Sequence, residues 1–408
     1  MASRLTVDLG ALARNYHTLK ALAAPSECGA VVKANGYGLG AAAIASRLAA
    51  EGCTTFFVAT VAEGIALRDV IDLPELYVFE GVSEIEAPRA AEYDLVPVIK
   101  TDKQLEAWRP YRSRPIAIHV DTGMNRLGFP PADARPERFD QFEVALLMTH
   151  LACAEEPQHP RNPMQLERFT EVTARFPGVA TSMANSAGIL LGPQYRGDVC
   201  RPGVALYGAS PFDDPMTALA TVATLEARIL QLRRVPAFEP VGYGATGIAD
   251  EERVIATIDV GYADGLPRVL SGHGYCAVLG AGIPIVGRVS MDLTTIDVTG
   301  LADGVKVGDW VELIGPQVPI KTSQNSRARI PTRYSPGSAS AASAATSVES
   351  PPPPLRPNVG YLYASGASVA ACRKSLSAAS VSPSARCDFA RLKYAGASSP
   401  CDNVIAWL

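Results

Sequence analysis

Short apolar runs recur along the first half of the chain, and each is followed by enough residues for a helix. Helical patterns such as Ala41–Glu51 and Pro163–Phe176 fall between several of these runs. Eight strand–helix units in about 210 residues are typical of a (β/α)8 TIM barrel, the fold class predicted for this half. The predicted strands are Cys28–Lys33, Thr55–Thr60, Leu76–Glu80, Leu95–Ile99, Pro115–Asp121, Val144–His150, Val179–Asn185 and Val199–Tyr207.

The helical spacing ends near Thr221, and short apolar runs separated by Gly and Asp turns follow. This pattern predicts a smaller, mostly β C-terminal domain. We therefore predict a barrel over residues 1–220 and a β-rich domain over 221–320. The predicted strands of the β-rich domain are Glu226–Arg234, Arg253–Asp259, Cys276–Leu279, Ile283–Val289, Thr294–Val298 and Trp310–Ile314.

Residues 321–408 differ in composition from the rest of the chain. They contain 17 serines, ten Lys or Arg against three Asp or Glu, and the run Pro351–Pro354. A basic segment rich in Ser, Ala and Pro cannot bury enough apolar surface to fold. The composition therefore predicts an aberrant, disordered tail.

The overall composition is ordinary for a soluble enzyme, with 48% hydrophobic and 19% charged residues. The net charge of −4 and the few basic clusters give no reason to expect nucleic acid or an anionic membrane as a partner. No apolar run approaches the roughly 20 residues of a membrane span, and the N-terminus does not resemble a signal peptide. The eight cysteines lack metal-site spacing, so we expect reduced thiols, no metal and a cytoplasmic location.

Reactive or polar residues stand at the C-terminal ends of several predicted barrel strands, where active sites of this fold lie. Lys33 is the most informative of them, because an apolar strand delivers it into a turn of small residues. A desolvated lysine loses its charge readily, and its neutral amine forms Schiff bases with aldehydes such as pyridoxal phosphate. A lysine that only extends from a strand end into water is the commoner alternative. The reactive or polar residues at the ends of predicted barrel strands are Lys33, Asp121, His150, Asn185 and Arg201.

The string Val31-Val32-Lys33-Ala34-Asn35-Gly36-Tyr37-Gly38 resembles the cofactor-lysine motif of alanine racemases, and later motifs follow in that family's order to about residue 320. The resemblance implies an enzyme that interconverts L- and D-alanine with pyridoxal phosphate (PLP) and supplies D-alanine for peptidoglycan. It also implies a homodimer with shared active sites. Lys33 would hold the cofactor and act as the base for the D-enantiomer.

The second base would come from Gly261–Gly265, which looks like the family's Gly-Tyr-Ala-Asp-Gly motif. Tyr262 would accept the proton from the L-enantiomer, for which a phenol needs nearby positive charge. An ordinary turn tyrosine between glycines is the alternative. In the family this tyrosine reaches the barrel of the other subunit.

Other positions match family residues that bind the cofactor or the substrate. By resemblance, His150 would stack on the pyridine ring and Arg201 would face the pyridine nitrogen. A strand-end histidine is more often a core residue, and Asn-Ser-Ala at 185–187 is equally a helix cap. The remaining expected residues are Tyr37, Ser186, Gly203 and Val204 for the phosphate, Arg126 for the substrate carboxylate and Met291 for the substrate pocket.

The chain departs from the family pattern at two positions. His119 stands where some members carry a carbamylated lysine that positions the arginine, so we expect Arg126 to be positioned differently. Phe238 stands where glycine is usual.

Several related functions remain open at this stage. A broad-spectrum or serine-preferring racemase has the same fold. A PLP-dependent decarboxylase would carry a cysteine-containing motif in place of Gly261–Gly265, and a non-enzymatic PLP-binding barrel would end near residue 230. A catalytically impaired product is the last alternative.

Residues 321–408 suggest a reason why the catalytic activity of this chain would be impaired. Read in a shifted frame, codons for Arg327 to Ser340 can encode Gly-Thr-Asn-Pro-Tyr-Glu-Ile-Leu-Thr-Arg-Leu-Gly, which resembles the end of alanine racemases. We hypothesise a frameshift near Ile320, in the gene or its sequencing. Codons that forbid Tyr-Glu-Ile-Leu in the shifted frame would exclude it.

Overall fold

The computed structural model describes residues 3–72, 75–212 and 218–319 of the 408-residue chain. The tail predicted over 321–408, with its proposed shifted frame, lies outside these residues. The strands are β1 Ser3–Val7, β2 Glu27–Cys28, β3 Ala30–Val31, β4 Thr55–Val58, β5 Glu75–Val78, β6 Val96–Ile99, β7 Ile116–His119, β8 Val144–Met148, β9 Ala180–Ser182, β10 Val199–Cys200, β11 Ala223–Val235, β12 Arg253–Ile258, β13 Tyr275–Val278, β14 Ala281–Pro284, β15 Thr294–Asp297 and β16 Trp310–Ile314. The helical segments are α1 Leu9–Ala23, the short turn α2 Lys33–Tyr37, α3 Ala41–Ala50, α4 Val61–Arg68, α5 Ala87–Glu92, α6 Asp102–Trp108, α7 Arg161–Thr173 and α8 Ser186–Leu191.

The N-terminal part is the predicted (β/α)8 barrel. Strands β3 to β9 form a parallel sheet in sequence order. β10 closes it, because it pairs with β2 while the Asp198 N–H donates to the Thr181 carbonyl at 2.8 Å beside β9. The predicted eighth strand, Val199–Tyr207, was too long: β10 ends at Cys200, since Pro202 lacks an N–H and the chain then turns.

Alternation along the strands fills the barrel with apolar side chains, and the helices cover its outer face. Because apolar side chains fill the interior, the polar side chains of the barrel lie at the ends of the strands. The residues inside the barrel are Val31, Phe57, Tyr77, Val98, Ala117, Leu146, Met148 and Val199.

The predicted β domain is an antiparallel sheet in the order β14-β13-β16-β11-β12-β15, and a bridge between Ile285 and Ile296 joins its two ends. β1 also belongs to this sheet, because it pairs with β11. The predicted strand Ile283–Val289 is displaced: β14 ends at Pro284, and Gly287 has a φ of 72° that no extended strand adopts.

Candidate active site

Lys33 lies two residues after the end of the buried barrel strand β3, at the C-terminal face, and it is half-buried. Burial lowers the pKa of its amine and the charge of Arg126 lowers it further, whereas Glu63 and Glu80 oppose the shift. No ion pair within the described ranges includes Lys33. An amine that gives up its proton readily is the form that attacks an aldehyde.

The backbone after Lys33 makes a left-handed turn that the sequence analysis did not predict. Three of its four residues carry a Cβ atom, and this conformation costs about 1–2 kcal/mol for each of them. Glycine is favoured at position 36, because a Cβ would lie 2.7 Å from Ile44 Cδ1 and 3.0 Å from the Ala41 backbone nitrogen. The turn residues and their φ values are Ala34 (52°), Asn35 (53°), Gly36 (65°) and Tyr37 (58°).

Arg201 is a buried cation whose hydrogen-bond partners are all neutral. It follows β10 and is only 3% exposed. Its Nη1 donates to the Ser182 hydroxyl, and its Nη2 donates to the Thr149 carbonyl at 2.7 Å. Burial lowers its pKa to about 10, so the guanidinium remains charged at neutral pH. The predicted cofactor residue is therefore a fixed positive charge.

Two histidines near Arg201 are held neutral. Burial and the charge of Arg201 lower the pKa of His150 well below its usual range. The same two causes, with Lys100, lower the pKa of His119 to about 3. A neutral His150 ring can pack against an uncharged aromatic ring without bringing another charge. His119, where the chain departs from the family, adds no charge beside Arg126 either.

Lys100 is a strand-end lysine that the sequence analysis missed. It follows β6 and is 7% exposed, and burial lowers its pKa to about 8 despite the opposing effect of Glu80. The apolar run ending in Val-Ile-Lys is the signal that drew attention to Lys33, and it could have identified Lys100 as well. Together with Arg126 and Arg201, it makes the barrel mouth electropositive.

A narrow cradle of hydroxyl and amide groups lies where the chain turns after β10. The Ser186 hydroxyl accepts from the backbone N–H groups of Gly203 (2.9 Å) and Ala205 (3.2 Å). A Cβ on Gly203 would lie 2.1 Å from the Tyr37 hydroxyl, so a larger residue here would displace that hydroxyl. The structure thus brings together Tyr37, Ser186 and Gly203, with Val204 on the same turn. Asn185 is indeed a helix cap, since its side chain accepts from Gly188 N–H.

Arg126 is exposed, on a loop that one carboxylate organises. Asp121 accepts from the N–H groups of four consecutive residues, 123–126, at 2.9–3.0 Å. Its position at a strand end was noted from the sequence, but this role was not foreseen. The loop presents Arg126 close enough to Lys33 and His150 to lower the pKa of both.

Tyr262 and Met291 lie on adjacent loops of the β domain. The Tyr262 N–H donates to the Ser290 carbonyl at 3.0 Å, and the Ala263 N–H donates to the Met291 carbonyl at 2.8 Å. Their side chains are 42% and 56% exposed, and the guanidinium of Arg268 lies 5.3 Å from the centre of the Tyr262 ring. Arg268 is therefore a positive charge that lies over the face of the Tyr262 ring.

The predicted site residues therefore form two groups. Lys33, Arg126, His150 and Arg201 influence one another electrostatically at the barrel mouth. Over the part of the chain that the structure covers, no hydrogen bond, ring contact or charge effect connects Tyr262 or Met291 with them.

Among the described residues, no group of three or more His, Cys, Asp or Glu side chains could hold a metal ion. None of the described helices has the length and the apolar character of a membrane span.

Comparisons with known proteins agree with this arrangement. A family model described as the alanine racemase N-terminal domain matches residues 7–211. A second model, the alanine racemase C-terminal domain, matches 222–334 and so extends past residue 320, where the sequence resemblance was expected to end.

Individual relatives carry the same description. The chain is 44% identical to a catabolic alanine racemase of Mesorhizobium japonicum over 76% of this chain and 84% of that one. It is 42% identical to a biosynthetic alanine racemase of Agrobacterium fabrum over 78% and 86%. Among solved structures, alanine racemase from Bartonella henselae with covalently bound pyridoxal phosphate is 39% identical, with a TM-score of 0.74 over 78% of this chain and 91% of that one.

Proposed function

The chain belongs to the alanine racemase family, and we propose that it interconverts L-alanine and D-alanine with pyridoxal phosphate as its cofactor. The observation that carries the proposal is Lys33, an amine with a lowered pKa in the electropositive mouth of a barrel. The D-alanine would serve peptidoglycan synthesis in the cytoplasm. The free thiols of Cys28, Cys53, Cys153, Cys200 and Cys276 favour that location.

The residues at the mouth fit this cofactor. Lys33 would hold its aldehyde carbon, and the cradle would hold its phosphate with hydroxyl donors from Tyr37 and Ser186 and with the backbone around Gly203 and Val204. The Gly203 N–H fixes the position of the Ser186 hydroxyl. When bound, PLP supplies the electron sink that makes the α-proton of an amino acid removable. His150 would cover the ring face, and Arg201, which can only donate, would keep the ring nitrogen unprotonated.

Two bases would move the α-proton on opposite faces of the substrate. Lys33 would take it from D-alanine through Nζ, and Tyr262 would take it from L-alanine through its phenol oxygen. Arg126 would bind the substrate carboxylate through its planar guanidinium. Met291 would limit the side chain to the size of a methyl group.

We further propose a homodimer in which Tyr262 and Met291 complete the site of the other subunit. Their exposure on the β domain, apart from the barrel residues over the described ranges, supports this. A mixture of Lys33→Ala and Tyr262→Phe subunits tests it, because each hybrid dimer then holds one site with both bases intact. Random reassociation should restore about a quarter of the wild-type activity. Activity no higher than that of the separate variants would contradict shared sites.

A further inference from the structure

Glu63 connects the strained turn after Lys33 to the barrel sheet. It lies in the first turn of α4, and its Oε1 accepts from the Ala34 N–H at 2.9 Å. Its Oε2 accepts from the Ala59 N–H, directly after β4, at 2.8 Å. One carboxylate thus bridges the residue that follows Lys33 and the end of the neighbouring strand.

This arrangement differs from ordinary helix capping. Thr60 is the N-cap of α4 and its hydroxyl accepts from the Glu63 N–H at 3.2 Å, which is half of a capping box. In a complete capping box the glutamate would return to the Thr60 N–H. Here both of its oxygens bind amides outside the helix. Helix stability alone does not explain the direction of this side chain.

The residue that Glu63 contacts has an unfavourable backbone conformation. Ala34 has a φ of 52°, at which a residue with a Cβ is strained. Alanine has no side-chain hydrogen bond that could offset this strain. The Gly38 N–H closes the turn onto the Ala34 carbonyl at 2.8 Å, and Glu63 secures its N–H from the other side. Glu63 also opposes the lowering of the Lys33 pKa by burial and Arg126.

We propose that Glu63 is a positioning residue for Lys33: its carboxylate holds the left-handed turn at Ala34 against the end of β4 and so fixes where the Lys33 amine enters the barrel mouth. The proposal rests on the proposed role of Lys33 as cofactor lysine. Glu63 itself moves no proton and contacts no substrate.

Glu63→Gln is the informative variant, because glutamine keeps the size but offers one acceptor oxygen for two N–H donors. We expect amide hydrogen exchange in a peptide spanning 34–38 to become about tenfold faster or more in the purified full chain. Exchange in β8 should not change. Glu86→Gln is the matched control, since Glu86 accepts from the Ser83 N–H and hydroxyl at another helix start.

A second readout follows the cofactor. After PLP is added and borohydride reduction fixes it, peptide mass spectrometry should show slower attachment to Lys33 in Glu63→Gln than in the wild type and in Glu86→Gln. In the racemase assay, kcat should fall more than KM rises. The proposal would be overturned if Glu63→Gln showed the same amide exchange rate at 34–38 and the same rate of cofactor attachment to Lys33 as the wild type. Absence of cofactor on Lys33 in the wild type would instead contradict the proposed function, and the exchange result would still decide the role of Glu63.

Ala34→Gly provides a second test of whether Glu63 acts through this turn. Glycine adopts a positive φ without strain, so the turn should depend less on its external hydrogen bond. We expect Glu63→Gln to accelerate exchange less in the Ala34→Gly background than in the wild type. Equal effects in the two backgrounds would show that Glu63 does not act through this turn.

Discussion

Asp121→Asn should loosen the loop that presents Arg126. The Asp121 Oδ1 accepts from the N–H groups of Gly123, Met124 and Asn125, and Oδ2 accepts from that of Arg126 at 2.9 Å. Asparagine has one acceptor oxygen, so the Arg126 N–H faces an NH2 group and the other bonds lose their charged acceptor. A charged hydrogen bond contributes about 1.5–3 kcal/mol, so loss of the Arg126 bond alone should lower the free energy of unfolding by about that amount. The weakening of the other three bonds adds to this loss.

Urea unfolding at pH 7 measures this loss, and the racemase assay should show a higher KM for alanine. Burial alone would raise the pKa of Asp121, but the four N–H groups lower it. Its stabilisation is therefore present above the ordinary aspartate pKa of about 4 and is lost as pH falls through the lower folded value. The variant should lack this acid-dependent part of the stability.

Asp94→Asn is the control, because its carboxylate is 74% exposed and pairs with Arg114 at the surface. It should change the free energy of unfolding by less than about 0.5 kcal/mol. If Asp121→Asn changed it no more than this control, the loop would not depend on the carboxylate and the reasoning would be refuted.

Three further results are expected. Lys33→Ala should abolish covalent cofactor attachment and both directions of racemisation; a cofactor-modified peptide elsewhere after borohydride reduction would assign another lysine. Tyr262→Phe should keep covalent cofactor attachment to Lys33 but slow the entry of solvent deuterium at the α-carbon of L-alanine by a factor of about 10²–10⁴. Deuterium entry at the wild-type rate would contradict the two-base assignment. Rewriting the chain after Ile320 in the shifted frame should raise activity and melting temperature, whereas equal values in both versions would make the frameshift irrelevant to function.

The sequence alone predicted the fold class and the family, because both depend on local patterns. Apolar alternation and its spacing reveal buried strands and amphipathic helices, and the motifs around Lys33 and Tyr262 are contiguous strings. Errors occurred at element ends. β10 stops at Cys200 and β14 stops at Pro284, where a missing N–H or a positive φ ends a strand whatever the hydrophobic pattern continues to suggest.

Contacts between residues distant in sequence were decided only by the tertiary structure. β1 joins the sheet of the β domain through residues more than 200 positions away, and no pattern within Ser3–Val7 specifies that partner. The left-handed turn at Ala34 persists because Glu63, on another element, accepts its N–H. Arg201 remains a buried cation because carbonyl and hydroxyl groups from two other strand ends surround it. Local sequence determines which elements form, whereas the environment of each reactive group depends on which elements the fold brings beside it.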